Sequence, residues 1–128
     1  DSGGYDHDQA EEYFAETLNY TIDPYKVYSE IQQQQDIVIV DVRSVQDYVK
    51  GHIPGAISLP INQYNDFNGS ELEYPGLRKD VMNYIYCYES TCDAAAKAGK
   101  KFTSLGYKVK EIKSGFEQWQ EYKLPVEK

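Results

Sequence analysis

With 128 residues the chain suits a single domain that can bury a core without metal or disulfide staples. No run approaches the ~18 apolar residues that a membrane-spanning helix needs, and the net charge of -8 leaves no basic patch for nucleic acid or an anionic membrane surface to meet. The acidity sits at the front: seven of the 21 acids and none of the 13 bases precede Lys26, leaving 14 acids against 13 bases in the remainder.

Residues 1–20 are expected to form an acidic extension, disordered over 1–8 and a short helix over 9–18, with residues 21–128 as the domain proper. Tyr20-Thr21-Ile22 reads as a short strand. Asp23-Pro24 then starts a helix, Asp as N-cap and Pro at the first helical position, and Tyr25, Val27, Tyr28 and Ile31 continue it at helical spacing. The stretch "DIVIVDV", 36–42, is short, β-branched and continuously apolar, as a strand buried on both faces of a parallel sheet requires. Ser44 caps a helix through about Lys50, stopped by Gly51. A short strand follows near Ala56–Leu59, then a polar connection over 61–77.

"NYIYC", 83–87, is the next strand, followed by a helix from Thr91 to Leu105, a strand at "YKVKEI" and a closing helix in "SGFEQWQEYKL". Alternating strands and helices predict an α/β fold with a mostly parallel sheet. The thirteen tyrosines against four phenylalanines are read as amphipathic packing, rings buried and hydroxyls wet.

The only two cysteines are Cys87 and Cys92. Two soft ligands at Cys-x4-Cys spacing, with His7 and His52 unpaired, do not make a zinc site, so no metal or cofactor is expected. An internal disulfide fits the short spacing. Cys92, beside Ala94–Ala96, also suits a small buried residue at a helix start. Cys87 ends a buried strand ahead of a helix. Inward-facing backbone N–H groups and the positive helix end make an anion cradle there, which stabilises a thiolate or a persulfide. Two cysteines without a disulfide framework, and an acidic polar start unlike a secretory or transit peptide, suggest a reducing, cytoplasmic setting.

Three blocks in order resemble rhodanese-like domains. They are "VDVR", 40–43; "YVKGHIPGAISLP", 48–60; and "FTSLGYKVKEIKSGFEQW", 102–119, with Cys87 between the last two at the place of the family's catalytic cysteine. The resemblance implies a five-stranded, mostly parallel sheet with helices on both faces, spanning 21–128. It implies a sulfurtransferase in which Cys87 is nucleophile and persulfide carrier. The N–H groups of Tyr88, Glu89, Ser90, Thr91, Cys92 and Asp93 would form its cradle, supported by Asp41, Arg43 and His52, which order loops rather than touch substrate. Its partners would be a small sulfur donor or persulfide and an acceptor thiol, free or borne on a protein.

The loop departs from active relatives. No cationic side chain lies between 87 and 96, and Glu89 places a carboxylate there instead. A dianionic donor such as thiosulfate is disfavoured against a thiol persulfide, and phosphatases of this fold need a loop Arg that is absent. The alternatives are a non-catalytic module that binds a protein partner and a thiol redox switch through Cys87 and Cys92.

Overall fold

The computed structural model describes residues 20–60, 74, 76–89 and 93–128. The expectations for residues 1–8 and 9–18, for most of the 61–77 connection, and for Ser90, Thr91 and Cys92 fall outside them.

Strand β1 is Thr21–Ile22, helix α1 Pro24–Gln32, β2 Val38–Asp41, α2 Val45–Lys50 and β3 Ile57–Ser58. They are followed by β4 Met82–Tyr86, α3 Ala94–Ser104, β5 Lys108–Ile112 and α4 Gly115–Glu121. The strands form one five-stranded sheet in the order β1-β5-β4-β2-β3, and every pair is parallel. The central strand β4 therefore spends its backbone hydrogen bonds on both neighbours, with Val40 opposite Ile85 and Ile85 opposite Glu111.

Both faces of the sheet are covered. One apolar cluster joins Ile39, Tyr84, Tyr86 and Ile112 to Val27 of α1 and to Phe116 and Trp119 of α4. The other joins Val40, Ile85 and Cys87 to Ala95, Ala98 and Phe102 of α3. Adjacent residues of one strand thus serve opposite clusters, which is the period-2 pattern that a doubly covered sheet imposes. Trp119, Phe102, Ile85 and Ile112 are essentially inaccessible, and burial of such side chains contributes about 1.5–3 kcal/mol each.

Local chemistry sets the helix ends. The Asp23 carboxylate accepts from the Tyr25 amide, and Ser44 Oγ accepts from the Asp47 amide. Gly51 closes α2 as expected, but with an extended backbone at φ 163° rather than a left-handed one. Its need for glycine is spatial, since an added Cβ would stand 2.9 Å from Val126 Cγ1. Helix α3 runs from Ala94 with Asp93 as its N-cap; the expected start at Thr91 lies outside the described residues.

Candidate active site

Cys87 follows the last residue of the central strand, at the carboxyl end of the sheet, and is 7% exposed. Its position is fixed from below and from the side. Below, β4 is anchored by the buried Asn83 amide. Its Nδ2 donates to the carbonyls of Arg78, Val81 and Lys108, and its Oδ1 accepts from the Arg78 amide. From the side, the first turn of α4 donates Phe116 N–H to Cys87 O at 2.9 Å and Glu117 N–H to Tyr88 O at 2.7 Å.

That approach depends on Ser114 and Gly115, both left-handed at φ 60° and 62°. A Cβ on Gly115 would stand 2.6 Å from Cys87 O and 2.8 Å from Tyr88 O, so only glycine lets the two backbones meet. The "KSGF" run carried this signal in the sequence, as a glycine at a strand-to-helix turn.

Asp41 and Arg43 form a buried pair at the end of β2, next to Tyr86. The Asp41 carboxylate accepts from the Arg43 amide, from Nε and from Nη2, the last at 2.7 Å. Nη2 also donates to Gly51 O at 2.6 Å. The guanidinium lies over the Phe116 ring at 4.2 Å from its centroid, a cation–π contact. Burial alone would lower the Arg43 pKa, but the Asp41 hydrogen bonds and charge carry it above its ordinary value. One side chain thereby ties the ends of β2 and α2 to the start of α4, the helix that pins Cys87 O.

Tyr86 completes this group. Its hydroxyl donates to Asp41 Oδ2 at 2.8 Å and accepts from Ile53 N–H at 3.1 Å. Burial, followed by the Asp41 charge, pushes the phenol well above its ordinary range. This corrects the reading of tyrosine hydroxyls as wet: those of Tyr86, Tyr84 and Tyr48 bond to Asp41, Glu30 and Ala56 O respectively. A phenol placed next to a carboxylate or a free carbonyl offers a hydrogen bond that phenylalanine cannot, which gives the tyrosine bias a physical reason.

His52 is buried and stacked on Tyr48 with ring centroids 3.8 Å apart. Its Nδ1 lies 2.9 Å from Tyr48 O. A carbonyl only accepts, so Nδ1 carries the proton. Backbone bonds in both directions join His52 to Glu127, whose Oε1 accepts from Gly55 N–H. These partners order the loop at Pro54-Gly55.

Of the cradle residues, Tyr88 is exposed, Glu89 half-buried and Asp93 exposed. Ser90, Thr91 and Cys92 lie outside the described residues. Cys87 stands in a disulfide, and the sequence has one other cysteine, Cys92. Four intervening residues make a short loop whose closure costs little chain entropy.

The rhodanese-like domain family matches residues 23–122. This chain belongs to that family. It is 32% identical over 95 residues to the thiosulfate sulfurtransferase GlpE of Pseudomonas putida, an alignment covering 71% of this chain and 76% of that protein. It is 35% identical over 92 residues to the HTH-type transcriptional regulator Rv0324 of Mycobacterium tuberculosis; that match covers 72% of this chain and spans only 38% of the regulator's length.

Among solved structures, the BH2092 protein from Bacillus halodurans is 32% identical at a TM-score of 0.77, covering 95% of this chain and 86% of that one. A full-length protein from Lactobacillus plantarum shares the fold at a TM-score of 0.80 and 23% identity, covering 95% of this chain and 98% of that one. Sulfur transfer is thus a chemistry found among this chain's relatives. No helix among the described residues is long and apolar enough to cross a membrane.

Proposed function

We propose that this chain is a sulfurtransferase in which Cys87 carries sulfane sulfur as a persulfide. The observation that carries the reading is the placement of Cys87 at the carboxyl end of the central parallel strand, its carbonyl held by the first turn of α4. Ligand sites of open parallel sheets lie outside such strand ends. The Cys87 thiolate attacks the outer sulfur of R–S–SH. A new S–S bond forms, the donor's S–S bond breaks, and R–S⁻ leaves. An acceptor thiolate reverses the step, so the pair of transfers is redox-neutral. The N–H groups from Tyr88 to Asp93 stabilise the anionic sulfur.

A thiol persulfide is the preferred donor over thiosulfate, because no cationic side chain lies between 87 and 96 and Glu89 adds a carboxylate to that stretch. A reducing, cytoplasmic compartment suits a reaction that needs Cys87 as thiolate. After reduction and incubation with a persulfide donor, the intact mass should rise by one sulfur atom. A reduced, folded chain that never takes up sulfur would end the proposal.

The disulfide at Cys87 favours a second reading, a redox switch with Cys92 as the partner thiol. It predicts that oxidation blocks sulfur uptake and that a dithiol restores it. Uptake at equal rates before and after reduction would dismiss it.

A further inference from the structure

A cleft of about 360 Å³ lies between α3 and β5. Its apolar wall is Ile85, Val109, Ala95, Ala96 and Gly99, and Tyr20, 55% exposed, also lines it. Its charged lining residues are Lys100, Lys110 and Glu111, a surplus of one positive charge. The elements around it are more basic still. Residues 93–113 hold six lysines against two acids, Asp93 and Glu111, and Asp93 is paired with Lys97.

The segment that leads into this cleft has the opposite charge. Residues 1–19, outside the described residues, run directly into Tyr20 and carry six acids with no lysine or arginine. Thr21 pairs with Glu111 in parallel, so the chain enters β1 from the end of the sheet where Lys108 and Lys110 lie. On that side, among the described residues, β5 has a strand partner only at Glu111 and Ile112. Within the segment, Tyr13, Phe14 and Leu18 share one face at helical spacing, and at ~100° per residue Glu11 and Glu16 border that face on either side. The lining stretch of α3, Ala95 to Thr103, is about 12 Å long, and a helix over 9–18 would be about 15 Å.

We propose that this cleft is the docking site of the chain's own acidic front segment, with Tyr13, Phe14 and Leu18 on the apolar wall and Glu11 and Glu16 toward Lys100 and Lys110. The covalent join at Tyr20 gives this occupant an effective concentration near the millimolar range, which a free partner lacks. Docking covers the flank of Ile85, two residues before Cys87, and braces α3. It does not depend on the chemistry of Cys87.

The test uses the full chain at high dilution, treated with a carbodiimide that joins carboxylates to amines in contact. Peptide mapping of the monomer should show links from Glu11 or Glu16 to Lys100 or Lys110. Their yield should fall by roughly two- to fivefold from low to high salt. Phe14→Ser combined with Leu18→Ser keeps every charge, yet should cut the same links by at least about fivefold, because the apolar contact is gone. Nuclear Overhauser contacts between the Phe14 ring and the Val109 methyls give a second, independent readout. Absence of both the links and these contacts would overturn the proposal. So would links spread evenly over Lys50 and Lys123, links unchanged in the double variant, or links confined to a covalent dimer, which would seat a second copy's segment in the cleft.

Discussion

The Tyr86 hydroxyl donates to Asp41 Oδ2 at 2.8 Å while accepting from the Ile53 amide, joining three segments that the chain keeps far apart. The bond lies one residue before Cys87, the proposed sulfur carrier. Tyr86→Phe removes the donor to a buried carboxylate and leaves the Ile53 N–H without its partner. The expected cost is about 1–3 kcal/mol, read as a lower urea midpoint, with slower sulfur loading of the folded protein.

Alkaline pH should act through the same group. Tyr86 and Tyr84 both titrate far above their ordinary value of 10.0, chiefly through burial. Their raised values mean that the unfolded chain gives up these protons first. The stability linked to them is complete below the unfolded value and drains away as pH climbs from there through the folded values. Urea midpoints should fall above pH ~10. Tyr86→Phe and Tyr84→Phe should flatten that fall, and an unchanged slope in the double variant would reject the assignment.

Arg43→Met should be the more damaging change. It strands the Asp41 carboxylate, which is fully buried, and frees Gly51 O. Removing one partner of a buried pair costs about 3–5 kcal/mol. Because the pair is shielded, the loss should hardly depend on salt, which denaturation at low and high ionic strength would check.

Gly115→Ala tests the clamp on Cys87. The left-handed backbone and the 2.6 Å contact that a Cβ would make with Cys87 O force α4 away from the loop. Sulfur loading should drop by more than the loss of stability explains, and the Phe116 and Glu117 amides should exchange faster with solvent. Loading at the original rate in a variant with those amides unprotected would show that the clamp is not needed.

Much of this was readable in the chain itself. Asp23-Pro24, Ser44 and the "DIVIVDV" run specify their elements through local capping and periodicity, and the structure has α1, α2 and β2 where those signals fall. Asp41 and Arg43 lie two apart, so their pairing is a local event that the Asp-x-Arg spacing foreshadows. Tyr86 and Asn83 were not read as site residues. Their partners lie 33 and 45 residues away for Tyr86 and 25 away at Lys108 for Asn83, and no periodic pattern encodes such contacts. Glu127 was missed for the same reason: its hold on Gly55 spans 72 residues.

The most direct test of the sulfurtransferase reading is the intact mass of the reduced chain after incubation with a thiol persulfide. One added sulfur is predicted for the unmodified chain and for Cys92→Ser, and none for Cys87→Ser. An unmodified chain that stays folded and reduced yet gains no sulfur, or a Cys87→Ser chain that gains it, would contradict the account.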